Sequence, residues 1–113
     1  MVASFEPEAY FWFLHPLFER LAQDHGKYID LYEGCAFTPE ELHLFEDFLA
    51  DAEVLVRQQE LRFRVHVGTQ THPIEKELFI EVGRESYLGF LASLRSAVQS
   101  CAEGAKPLCF YGD

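Results

Sequence analysis

Arg62, Arg64 and His66 recur at every second residue, a spacing that sets two guanidiniums and an imidazole on one face of a β-strand. Side chains of these types could hold a phosphate or carboxylate between charged donors, with His66 as acid or base, which makes a small enzyme or an anion-binding domain one reading of the chain. A plainer use is preferred. Glu77 and Glu81 lie on a second alternating run and would neutralise the three bases across a hairpin, as cross-strand ion pairs commonly do.

The other chemistry-bearing residues do not assemble into a motif. His15, His25, His43, His66 and His72 lack the His-x-x-x-His spacing of a metal site, and the single pair His43 and Glu46 would need further ligands. Cys35, Cys101 and Cys109 are odd in number and without a Cys-x-x-Cys pair, so a reduced, cytoplasmic protein is expected rather than a disulfide framework or zinc knuckle. No phosphate-binding glycine loop or Gly-x-Ser-x-Gly elbow occurs. Glu40-Glu41 and Glu46-Asp47 are paired carboxylates, but helix neighbours point about 100° apart and form no acid/base dyad by themselves. The expectation is a protein that is not an enzyme, with no catalytic residue, metal or cofactor.

The elements that would position these groups are marked by period and by caps. Tyr10, Leu14, Leu17, Phe18 and Leu21 give the segment 7–25 a helical spacing that stops at Gly26, with a kink or break forced by Pro16. Whether Tyr10–Leu14 is helix or strand stays open. Thr38-Pro39-Glu40-Glu41 opens a helix to about Gln58, with Thr38 as cap, Pro39 at the first position and a Glu three residues after the cap. Its apolar stripe is Leu42, Phe45, Leu49, Ala52 and Leu55 or Val56.

From Leu61 to Val82 the period becomes two, and a hairpin closed near Gly68 and Glu75 would set Arg62 opposite Glu81 and His66 opposite Glu77. Leu78, Ile80 and Val82 would then face one way and Glu77, Phe79 and Glu81 the other, while His72 falls in a polar loop. Gly83 ends that strand. Tyr87, Leu91, Leu94, Val98 and Cys101 mark a third helix ending at Gly104, and Leu108–Tyr111 a last strand. The order α-α-β-β-α-β predicts one α+β domain over residues 1–113, a small antiparallel or mixed sheet of the hairpin plus the C-terminal strand, packed with about three helices. The last β-α-β step would be right-handed if its strands are parallel.

With 113 residues and 49% of them apolar, the chain can bury one core. Its 9 bases stand against 19 acids, a formal −10, which repels a phosphate backbone or an anionic lipid surface. Neither nucleic acid nor membrane is an expected partner. The first fifteen residues hold no Lys or Arg and only a six-residue apolar run, so neither a signal peptide nor a membrane span is expected there. The charge is uneven: residues 1–60 contain three bases and thirteen acids, whereas residues 61–113 contain six of each. Glu40, Glu46, Asp47, Asp51 and Glu53 concentrate that excess on one helix. Phe11, Trp12 and Phe13 are consecutive and cannot all bury on one side, which adds Trp12 as an aromatic anchor. These six residues are the candidate partner-binding set, and a basic protein is the partner they suit.

From Leu31-Tyr32-Glu33-Gly34 and Phe37-Thr38-Pro39-Glu40-Glu41-Leu42, through the hairpin, to Cys109-Phe110-Tyr111-Gly112-Asp113, the layout resembles the small acidic α+β immunity proteins that bacteria make against their own polymorphic toxins. Such proteins share no catalytic residues. The resemblance implies neutralisation of a cognate basic toxin by occlusion of its active site or substrate groove. A homodimer joined through the Tyr10–Phe18 aromatics is a third reading.

Overall fold

The computed structural model describes residues 2–3, 8–27, 29, 34–71 and 73–110, the side chains of Val2 and Glu8 excepted. Leu31-Tyr32-Glu33, His72 and Tyr111-Gly112-Asp113 lie outside the described residues. The order is β1 (Val2–Ala3), α1 (Glu8–Phe13), α2 (His15–His25), β2 (Cys35–Phe37), a 3₁₀ turn (Pro39–Glu41), α3 (Leu42–Arg57), β3 (Arg62–Gln70), β4 (Lys76–Gly83), α4 (Arg84–Glu103) and β5 (Leu108–Phe110). This is an α+β fold.

Proline decides the start. Pro16 lacks an N–H and clashes with the carbonyl one turn back, so the helical segment breaks at Leu14 and α2 restarts with Pro16 in its first turn. Tyr10 to Phe13 are therefore helical. The break lets the aromatic run bury in different directions: Phe11 stacks on Phe18 at 5.0 Å, Phe13 meets Phe63 at 5.1 Å and Trp12 is half-buried against Phe11 and His15. Gly26 ends α2 in the left-handed region at φ 68°, its N–H donating to the Ala22 carbonyl at 2.8 Å. At the end of α4 the left-handed position falls on Ala105 at φ 51°, one residue past Gly104. The Lys106 N–H there reaches back to the Cys101 carbonyl at 2.9 Å.

The helical core follows the expected stripes. Leu42, Phe45, Phe48, Leu49, Ala52 and Val56 of α3 and Tyr87, Leu91, Leu94, Val98 and Cys101 of α4 are all buried in one core. Tyr87 ties α4 to α1. Its ring stacks on Tyr10 with centroids 4.1 Å apart, and its hydroxyl donates to the Tyr10 backbone carbonyl at 2.5 Å. Burial raises the phenol's pKa well above its ordinary value, so the donor keeps its proton.

The sheets differ from expectation in two ways. First, β5 does not join the hairpin. It lies between β1, to which it is parallel, and β2, to which it is antiparallel, in a separate three-stranded sheet. Phe110 packs on Phe45 at 5.1 Å and on Phe37 at 6.3 Å, so aromatic burial draws β5 to α3. The β4-α4-β5 step therefore links two sheets, and the handedness rule for one sheet does not apply to it.

Second, the hairpin register is offset. Arg62 pairs with Gly83, Arg64 with Glu81 and His66 with Phe79; a bulge at Val67 then shifts the count, so Gly68 pairs with Leu78 and Gln70 with Lys76. Gly83 ends β4 as expected, and the Arg84 N–H adds one more hydrogen bond beyond it, to the Leu61 carbonyl at 2.9 Å. The expected charge partners still meet, as diagonal neighbours: Arg62 Nη1 lies 3.5 Å from Glu81 Oε1, and His66 Nε2 contacts the Glu77 carboxylate. Only the helix-proximal half of the hairpin has a dry face, through Val65 and Val82. Leu78 and Ile80, on the same face as Val82, are 38% and 44% exposed.

Tyr87→Phe keeps the ring stack and leaves the Tyr10 carbonyl without its donor. It should lower the unfolding free energy by about 1–3 kcal/mol in urea titration.

Candidate functional site

α2 and α3 run antiparallel, and each contributes one stripe at helical spacing to a shallow groove between them. From α2 come Leu17, Arg20, Leu21, Asp24 and His25; from α3 come Leu44, Asp47, Phe48 and Asp51. Leu17, Leu21 and Phe48 are buried and form an apolar floor, while Asp24, Asp47 and Asp51 are exposed along the rims. The space enclosed is about 80 Å³, enough for one side chain and far short of a drug-sized ligand.

The electrostatics are one-sided. Arg20 Nη2 lies 3.8 Å from Asp51 Oδ2, an exposed pair of small energetic value. Asp24 and Asp47 have no base within ion-pair distance among the described residues. Asp24 sits in the last turn of α2, where a carboxylate meets the negative end of the helix dipole. Its charge there opposes helix stability instead of supporting it.

One end of the groove is fixed by Lys27. Its Nζ donates to Glu41 Oε1 at 2.9 Å and to the Ala36 carbonyl at 3.0 Å, and lies 5.9 Å from the Phe37 ring centroid. Glu41 also accepts from the Thr38 N–H at 3.1 Å, as the capping pattern predicts. The Lys27 hydrogen bond, then the Thr38 N–H, hold the Glu41 carboxyl below its ordinary pKa. A depressed carboxyl stabilises the fold above its unfolded pKa, and that contribution disappears as pH falls through the folded value.

Of the six residues singled out in the sequence, the structure brings Asp47 and Asp51 together on the groove. Glu40 and Glu46 are exposed nearby on the 3₁₀ turn and α3, outside the lining. Glu53 is turned inward: its Oε1 accepts from Arg95 Nη2 at 2.7 Å and Nε at 3.2 Å, a half-buried staple between α3 and α4. Trp12 packs against the core. Sequence reasoning missed Asp24 and Arg20. Their spacing with Leu17 and Leu21 marked a single stripe, but nothing in the sequence said which helix that stripe would face.

The alternative face is occupied by its own partners. Arg62 is engaged with Glu81 and His66 with Glu77, and Arg64 Cζ lies 4.5 Å from the Phe79 ring centroid. An anion would compete with each of these contacts. Among the described residues no group of three or more His, Cys, Asp or Glu side chains could hold a metal ion, and no helix is long and apolar enough to cross a membrane. Cys101 is buried, with Cys35 and Cys109 half-buried on neighbouring strands. Compared with protein-family models, curated proteins and solved structures, the chain finds no match.

Because Asp24 and Asp47 make no ion pair with any described residue, Asp24→Asn with Asp47→Asn should leave thermal stability equal or higher. Added sodium chloride should stabilise the double variant less than the wild type, since there is less repulsion to screen. Melting curves at low and high salt measure both effects.

Proposed function

We propose that the chain is a binding module for a basic protein: an immunity protein that neutralises a cognate basic toxin by covering its active site with the acidic α2–α3 surface. The observation that carries this reading is the groove itself, whose apolar floor and carboxylate rims match a long cationic side chain. A lysine or arginine from the partner would lay its methylene stem on Leu17, Leu21 and Phe48 and set its charge between Asp24 and Asp47. Arg20, reaching Asp51 from the opposite helix, makes the same kind of contact within the chain. The uneven charge adds a kinetic reason: an acidic face steers a basic partner into encounter.

The test is association, followed by stopped flow, with the basic toxin domain encoded beside the chain's own gene. Charge reversal by Asp47→Lys and Asp51→Lys should slow association about tenfold at low salt and flatten its salt dependence. Unchanged rate and salt slope in both variants would remove α3 from the interface. A gene neighbourhood without such a toxin domain would contradict the immunity reading.

A further inference from the structure

The outer half of the hairpin exposes apolar side chains on both faces: Leu78 and Ile80 on one, and on the other Phe79, whose ring is partly covered by Arg64 and His66. Every residue from Lys76 to Glu81 is exposed. Within that run Leu78 is 38%, Phe79 45% and Ile80 44% exposed, and Ile74 in the loop before it is 68% exposed. Successive side chains of a strand point to opposite faces, so Phe79 lies on one side of the ribbon and Leu78 and Ile80 on the other.

β4 also has an open edge. It pairs with β3 on one side, and no other described strand joins that sheet, which leaves a row of backbone donors and acceptors facing outward. Proteins usually blunt such an edge with a proline, a bulge or a charge placed mid-strand. The bulge here is on β3, β4 holds no proline, and the centre of β4 is Leu78-Phe79-Ile80. A two-stranded ribbon is marginal in water by itself, and here only the half near Val65 and Val82 is packed.

Charge identifies the occupant. Residues 62–83 carry Arg62, Arg64 and Lys76 against Glu75, Glu77 and Glu81, a formal balance of zero in a chain of −10. A basic partner is drawn to the acidic α2–α3 face and gains nothing electrostatically from this one. A second copy of the chain, equally acidic, is repelled least along its neutral ribbon. We propose that two copies join β4 edge to β4 edge, antiparallel about a two-fold axis, to make a four-stranded sheet. The register centred on Phe79 sets the two Phe79 rings side by side on one face. On the other face it places Leu78 of each copy opposite Ile80 of its mate. Glu77 and Glu81 then oppose each other across the axis, but each is already engaged within its own hairpin, by His66 and by Arg62.

Sedimentation equilibrium over a concentration series tests this. The wild-type mass should rise from one chain to two. Phe79→Glu should raise the dimer dissociation constant at least about tenfold, with the far-UV circular dichroism unchanged. Ile80→Lys, on the opposite face, should weaken the dimer similarly. A wild-type mass of one chain at every concentration, or a dimer undiminished in both variants, would overturn the proposal.

Discussion

Pro16 cannot sit inside a continuous helix, and the rest of the molecule is arranged around the break that results at Leu14. An unbroken helix over this segment would carry Phe11, Trp12 and Phe13 around its circumference with at most one facing the core. Broken, it becomes two short helices whose aromatic residues serve different layers. Phe11 passes contact to Phe18, Phe18 to Phe48 at 4.9 Å, Phe48 to Phe45 at 5.4 Å and Phe45 to Phe110, a run of rings from α1 across α2 and α3 to β5. Tyr10 and Phe13 turn the other way, to Tyr87 and to Phe63 of the hairpin. The segment Tyr10–Phe18 is the joint between the helical layer and the hairpin.

That joint leaves two surfaces of opposite character. α2, held by the ring stack and tied by Lys27 to Glu41, lies against α3 with the carboxylates of both helices along one groove. The hairpin packs on the body through Phe63, Val65 and Val82, and its outer half, neutral in charge, exposes Leu78, Phe79 and Ile80. Charge placement then decides what each surface can approach: cations at the groove, and faces without excess acid at the ribbon.

Much of this was legible in the sequence, and the failures have physical causes. The Thr38-Pro39-Glu40-Glu41 start and the stripes of α3 and α4 were readable because caps and a 3.6-residue period are local signals. β1 and β2, two and three residues long, were not, since so short a strand carries no period. The hairpin register was offset because both versions bring Arg62 to Glu81 and His66 to Glu77. Charge pairing therefore could not discriminate between them, and the bulge at Val67 was invisible. Alternation put Leu78 and Ile80 on one face with Val82, but it does not report whether anything lies against that face, and both are exposed. Asp47 and Asp51 could be named as acidic candidates, but their groove exists only once α2 brings Asp24 and Arg20 opposite. Glu53 was taken for surface charge because Arg95, its partner, lies on another helix.

The division of labour between the two surfaces is the central claim, and it can be measured directly. In a titration of the isotope-labelled chain with an oligoarginine peptide at low salt, followed by amide chemical shifts, the account predicts saturable changes along Leu17–His25 and Leu44–Asp51. The amides of Lys76–Glu81 should stay unmoved. Changes centred on the hairpin, or spread evenly over every exposed carboxylate, would contradict it.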